Sequence, residues 1–132
     1  GFNEDTLDEV IARLLLNLNM KVCLIEKGTD QLITQLLQKY NILVSGSPNF
    51  NFENPNKQEI NLENLYKLIN PNILLVIELS KTNEKSATLS INYFHLNQRI
   101  NKSLQFGGHD NLALTWAANT TMHFLRSQLT QT

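Results

Sequence analysis

The sequence predicts an α/β (α+β) fold, in which a mixed sheet of about four strands ends in a C-terminal antiparallel meander and is flanked by about four helices. Two runs, MKVCLI and NILLVIELS, are almost entirely apolar, which is typical of strands covered on both faces. Two further strand patterns follow the second run after short connections, so they pair antiparallel. The segments around these runs repeat apolar residues at spacings of three and four, as amphipathic helices do.

Composition limits what the protein can be. The chain has 132 residues, enough for one domain with a single core, and we treat 1–132 as one α/β domain. Hydrophobic residues make up 42% and charged residues 17%, which excludes a disordered chain. The formal net charge is -1 and no basic run occurs, so nucleic acid is not an expected partner.

A turn in the first half of the chain raises the question of a ligand site. EDTLDEVIARLLLNLN predicts a helix and MKVCLI a strand, and Gly28 then breaks the chain before a second helix that Thr29 or Asp30 caps. Phosphate-binding turns share this layout, but they need several glycines whose amides surround the anion. Because Gly28 stands alone and Asp30 would repel an anion, the turn is predicted to be a structural corner.

The segment 47–59 is a long polar loop that carries two phenylalanines and precedes a short helix ending at Asn70 and Pro71. The alternation of Phe50 and Phe52 fits an edge strand or two side chains tucked onto the core. It also fits an exposed patch for a partner. Phe50 and Phe52 are the candidate partner-binding residues.

In the second half of the chain, NILLVIELS is predicted to lie at the centre of the sheet. ATLSINYFHL alternates apolar and polar residues, so one face of the meander is exposed to water, and NQ after it is the expected hairpin turn. Gly107 and Gly108 end the meander. NLALTWAANTTMHFLRSQL then predicts a helix with Leu112 and Phe124 among the residues that face the sheet.

The residues that most often carry catalysis or bind metals are few and scattered. Cys23 lies inside an apolar run and is predicted to be a buried core thiol rather than a nucleophile. His95, His109 and His123 lack the spacing that presents two imidazoles to one metal ion. His109 beside Asp110 fits a solvated turn better than an acid-base pair. We therefore predict no catalytic residue, no metal site, no cofactor and a protein that is not an enzyme.

Element order and hydrophobic pattern are informative in two long segments, LLLNLNMKVCLIEKGTDQLITQLLQKY and LYKLINPNILLVIELSKTNEKSATLSINYFHLNQRINKSLQF. Both resemble the superfamily of bacterial envelope lipoprotein domains that includes CsgG, LpoB, the amino-terminal domain of TolB, FlgO and PelC. The resemblance implies a non-enzymatic periplasmic protein-binding module, the soluble part of an outer-membrane lipoprotein in an envelope assembly or secretion complex. It also implies another envelope protein as partner, and membrane contact only through a lipid anchor on a removed N-terminal segment.

A second interpretation stays open. The chain also fits a small cytoplasmic α/β ligand-sensing or enzymatic domain that uses the turns 27–30 and 107–110 as ligand corners. Homo-oligomerisation through an exposed edge of the meander is compatible with either interpretation.

Overall fold

In the computed structural model, the residues that are described, 5–44, 55–83, 85–108 and 110–131, form a four-stranded mixed sheet with helices on both faces. This confirms the predicted fold class. The helices are α1 (Leu7–Leu18), α2 (Leu32–Leu37), α3 (Pro55–Ile69) and α4 (Asp110–Leu129), with a 3-10 helix at Gln38–Tyr40. The strands are β1 (Val22–Lys27), β2 (Ile73–Asn83), β3 (Ser86–His95) and β4 (Gln98–Gly107).

The strands lie in the order β1-β2-β3-β4. β1 and β2 are parallel, with Val22 opposite Ile73, and α2 and α3 lie in the connection between them. β2, β3 and β4 form the predicted antiparallel meander. β2 therefore lies inside the sheet, as its apolar sequence predicts, and β4 lies at an edge.

Side chains from the two faces of the sheet enter two separate cores. The larger core lies between the sheet and α1, α2 and α4, and its fully buried members include Ile11, Leu15, Val22, Ile33, Leu37, Ile77, Leu89 and Leu125. The smaller core lies under α3 on the opposite face and contains Cys23, Ile25, Leu62, Leu74, Val76 and Phe94. The protein thus has three layers, with β1 and β2 covered on both faces.

Three local predictions are wrong. α3 begins at Pro55, so part of the predicted polar loop is helical, and proline suits a first turn because the missing N–H has no intrahelical acceptor there. The tight turn of the meander falls one residue before NQ, since His95 pairs with Gln98. On α4, Leu112 is exposed, whereas Phe124 is buried as predicted.

Asp8 joins α1 to the segment that follows α2. Its buried carboxylate accepts a hydrogen bond of 2.7 Å from the Tyr40 hydroxyl and lies 3.6 Å from the Lys39 ammonium group. Burial alone would raise the pKa of Asp8. The hydrogen bonds from Thr6 and Tyr40 and the charge of Lys39 outweigh burial, so the pKa lies below its ordinary value of 3.8.

We expect Asp8→Asn to lower the free energy of unfolding by about 1–2 kcal/mol near neutral pH. A lowered folded pKa means that the stabilisation is fully present above the unfolded pKa and is lost as the pH falls through the folded value. Urea unfolding of both proteins from about pH 7 to about pH 3 should therefore show that the difference between their free energies of unfolding becomes smaller as the pH falls. A difference that grows in acid would contradict the ionic role of Asp8.

Gly28 makes the turn after β1 possible. Its φ is 81°, a left-handed conformation that residues with a Cβ atom rarely adopt. A Cβ atom at this position would lie 2.1 Å from the main-chain oxygen of Leu79 in β2. The glycine therefore allows the chain to leave β1 in contact with the backbone of β2.

We expect Gly28→Ala to destabilise the fold by roughly 2–3 kcal/mol, because the variant combines backbone strain with a contact to main-chain atoms that do not yield. Gly107→Ala is the matched control, since an added Cβ there would meet no atom of the described residues within 4 Å beyond its own chain neighbours. Urea unfolding measures both variants. Equal stability of the two would show that the turn adjusts without cost.

Candidate functional site

Glu26 is the last buried residue of β1, and its side chain contacts the start of α2. The carboxylate accepts hydrogen bonds from the main-chain amides of Thr34 at 2.6 Å and Ile33 at 3.3 Å, and from the hydroxyl groups of Thr29 and Thr34. Only 7% of Glu26 is exposed. The negative charge thus lies where the first amides of a helix lack intrahelical acceptors.

The prediction that Thr29 or Asp30 caps α2 is wrong. Gln31 precedes the helix, and Asp30 and Gln31 both have left-handed conformations, with φ of 52° and 58°. The hydroxyl of Thr29 donates to Glu26 instead. The side-chain amide of Gln31 donates to the main-chain oxygen of Glu26 at 3.1 Å. An internal carboxylate occupies the place that an anionic ligand would take, so the turn is the structural corner that its sequence predicts.

The two turns considered as ligand corners lie at the same end of the sheet but on opposite edges. β4 runs parallel to β1, and β2 and β3 separate the two strands, which places the turns about 14 Å apart. At the first turn, the Lys27 ammonium group lies 3.9 Å from the Glu78 carboxylate. At the second, the Gly108 amide donates to the Lys85 carbonyl at 2.9 Å. His109 lies outside the described residues.

A cleft of about 350 Å³ opens at the other end of the sheet, where β1 and β2 begin. Its volume is within the range of pockets that hold small molecules. Three separate segments line it: the end of α1 with the residues leading into β1, the residue after the 3-10 helix, and the residue before β2. The lining residues are Leu15, Leu16, Asn19, Met20, Lys21, Asn41 and Asn72.

Each asparagine of the cleft has a local structural role. Asn19 and Asn41 end α1 and the 3-10 helix in left-handed conformations, with φ of 56° and 58°, which asparagine adopts more readily than most residues. Asn72 accepts a hydrogen bond of 2.8 Å from the Lys21 amide and so fixes the start of β1 beside β2. Within the part of the chain that the structure describes, the side-chain amides of Asn19 and Asn41 have no hydrogen-bond partner and face solvent.

Lys21 gives the cleft its charge. It is the only ionisable residue among the seven that line the cleft, and among residues 5–44, 55–83, 85–108 and 110–131 it makes no ion pair. Leu16, which is 58% exposed, and Met20 supply the apolar wall. The cleft therefore offers one cation, several amides and a small apolar surface.

The cleft was not predicted from the sequence, because the many asparagines were interpreted as a compositional bias. A local signal was present in the sequence. Asn19, Asn41 and Asn72 each stand just before an apolar run, in LNMKVCLI, YNILV and PNILLVI. Parallel strands β1 and β2 begin at the same end of the sheet, so residues before them meet in space.

The described cysteine and histidines are not brought together. Cys23 is buried, as predicted, and burial raises the pKa of its thiol. His95 lies with its Nδ1 2.8 Å from the main-chain oxygen of Asn72, and His123 is exposed on α4. No cluster of three metal-ligating side chains occurs in the described ranges.

The candidate partner-binding residues Phe50 and Phe52 lie outside the described residues. Their role in binding a partner stays a prediction.

No model of a known protein family matches the chain, and no curated protein sequence matches it. Solved structures do match. A competence-damaged protein (CinA) superfamily protein of Klebsiella pneumoniae superposes with a TM-score of 0.70 and 15% identity, over 96% of this chain and 97% of the other. A competence or damage-inducible protein of Enterobacter asburiae gives a TM-score of 0.69 and 14% identity, over 96% and 99%.

A CinA-superfamily protein of Enterobacter cloacae gives the same result, with a TM-score of 0.70 and 12% identity over 98% of this chain and 95% of the other. The chain has the fold of these proteins. Because the sequence identity is so low, the similarity establishes a shared fold and does not assign a role to any residue.

The resemblance to the envelope lipoprotein superfamily of CsgG, LpoB, TolB, FlgO and PelC is wrong, because the solved structures that share this fold over nearly their whole length are CinA-superfamily proteins. The periplasmic, outer-membrane-associated protein-binding module that was inferred from it is wrong for the same reason. Element order and hydrophobic pattern are shared by many α/β domains, so they do not identify a family. None of the described helices is long and apolar enough to cross a bilayer.

We expect Glu26→Ala to lower the free energy of unfolding by about 3 kcal/mol, because the buried donors of Thr29 and Ile33 and the part-buried donors of Thr34 lose the Glu26 carboxylate as acceptor. Glu78→Ala is the control, since it removes a partly exposed carboxylate whose ion pair with Lys27 contributes less than about 1 kcal/mol. Urea unfolding compares the two. Equal losses would contradict a specific role for the Glu26 carboxylate.

Proposed function

We propose that this protein is a small cytoplasmic α/β ligand-sensing domain that binds an organic acid in the cleft where β1 and β2 begin. The proposal keeps the small cytoplasmic ligand-sensing domain of the second interpretation, which agrees with the CinA-superfamily fold better than the envelope interpretation does. It moves the ligand from the turns 27–30 and 107–110 to the opposite end of the sheet. The main support is the convergence of Lys21 with the side-chain amides of Asn19 and Asn41, which have no partner among the described residues, in a cleft of small-molecule size.

The ligand class follows from the lining residues. The ammonium group of Lys21 favours an anion, and carboxamides donate hydrogen bonds to carboxylate oxygens. None of the described residues that line the cleft is acidic, so none of them repels that charge. Leu16 and Met20 favour a ligand with a small apolar part. A short aliphatic or aromatic monocarboxylate satisfies each of these groups.

Binding without catalysis is the form of this proposal that the side chains support best. Among the residues that the structure describes, the polar members of the cleft lining are one lysine and three asparagines, without a serine, cysteine, histidine or carboxylate beside them. The proposed consequence of binding is conformational. A ligand held by Asn19 and Asn41 would join the end of α1 to the end of the 3-10 helix.

Isothermal titration with short monocarboxylates tests the proposal. The expected order of affinity is carboxylate above the matched primary amide, with the matched amine not bound. Lys21→Gln should weaken carboxylate binding roughly tenfold, because it removes the charge-assisted hydrogen bond.

Asn41→Gly removes the side-chain amide from the cleft while keeping a residue that tolerates the left-handed conformation. We expect a roughly fivefold loss of affinity with little change in stability. Asn70→Gly is the matched control, since Asn70 has φ of 51° and does not line the cleft. No binding of any carboxylate by the wild type, or equal affinities of the Asn41 and Asn70 variants, would overturn the proposal.

A further inference from the structure

β4 leaves one side of its backbone unpaired within the described part of the chain. It is a ten-residue strand, and its described neighbour is β3 alone. Its pairing with β3 runs without a shift from Gln98 to Gly107, so the strand contains no bulge. A long, regular edge strand without proline is a template for pairing with another strand.

The register of the hairpin shows which groups of β4 point outward. β3 and β4 are joined by a two-residue connection, and the residues that flank such a connection, His95 and Gln98, exchange both main-chain hydrogen bonds. Every second residue of β4 from Gln98 onward therefore bonds to β3. The residues between them present their N–H and C=O groups at the edge: Arg99, Asn101, Ser103, Gln105 and Gly107.

Charged side chains usually protect an edge strand from pairing with another strand, but those of β4 do not. The Lys102 ammonium group lies 5.4 Å from the centre of the Phe124 ring on α4. The Arg99 guanidinium group donates to the Glu63 carboxylate at 2.6 Å, and this pairing draws it toward α3. Both cations are thus held over the faces of the sheet, away from its edge. The remaining outward residues are small or uncharged, and β4 has no acidic residue.

If two copies of β4 pair antiparallel near their centres, two registers bring the outward main-chain N–H and C=O groups of the two strands opposite each other. The side chains that each register brings together distinguish the two. A two-fold axis at Lys102 would set two ammonium groups directly opposite each other, which destabilises a strand pair. An axis at Ser103 sets two small hydroxyl side chains opposite each other. It also places Ile100 opposite Phe106 of the second copy, an apolar pair of the kind that stabilises sheets.

We propose that β4 pairs with β4 of a second copy of this chain, antiparallel and centred on Ser103, to form a continuous eight-stranded sheet across a two-fold axis. About ten main-chain hydrogen bonds join the two strands in this register. Half-buried Phe106, whose ring lies 5.1 Å from that of Trp116, gains apolar contact with Ile100 of the second copy. The interface is isologous, as in most homodimers.

Sedimentation velocity of the wild-type chain over a wide range of concentration measures the association, and engineered cysteines measure its register. In the proposed register, Ser103→Cys places two thiols on residues whose Cα atoms are about 5.5 Å apart, so mild oxidation joins the copies by a disulfide. Lys102→Cys should not crosslink to itself. Buried Cys23 is common to both variants.

Ser103→Asp should raise the dimer dissociation constant roughly tenfold or more, because it sets two carboxylates opposite each other. Ser103→Thr, which keeps a hydroxyl group, should leave it unchanged. Circular dichroism confirms that each variant keeps its fold. A monomer at every concentration would overturn the proposal. The edge of β4 would then be available for pairing with an extended segment of another protein. Faster crosslinking of Lys102→Cys than of Ser103→Cys would overturn the register.

Discussion

The hydrogen bonds of the buried Glu26 carboxylate determine how the first strand is joined to the helix that follows it. A carboxylate removed from water costs several kcal/mol unless its oxygens are hydrogen-bonded. Here Thr29, Ile33 and Thr34 supply four donors from the turn and the first turn of α2. α2 is only six residues long, too short to be stable alone, so this attachment and the burial of its apolar face hold it on the sheet.

This arrangement gives the two ends of the sheet different properties. Open α/β sheets usually bind ligands at the carboxyl ends of their parallel strands. In this protein the polar groups at that end of β1 are satisfied internally by Glu26. At the amino end, Asn19 and Asn41 end two helices and leave their side-chain amides without partners among the described residues, next to Lys21. This chain shares its fold with CinA-superfamily proteins, whereas the distribution of polar groups was established for this chain alone.

Long apolar patterns made the architecture predictable, and single side chains made the local details unpredictable. NILLVIELS is apolar on both faces, so its central position followed from its sequence. The capping of α2 did not, because a glutamate in a strand bonds to amides seven and eight residues later, a contact that no helix-start motif encodes. The cleft was missed for a related reason: Asn19, Asn41 and Asn72 are distant in sequence and meet only because β1 and β2 begin side by side.

The most direct test of a ligand site at the amino end of the sheet is to map amide chemical shifts by NMR while a short monocarboxylate is titrated into the isotope-labelled wild-type chain. If the ligand binds in the cleft, the largest shifts occur at Asn19, Lys21, Asn41 and Asn72, and the turn after β1 is unchanged. If the largest shifts occur at residues 27–31 and 107–108 and the cleft is unchanged, a ligand site in the cleft is contradicted. The ligand would then bind at the carboxyl ends of β1 and β4.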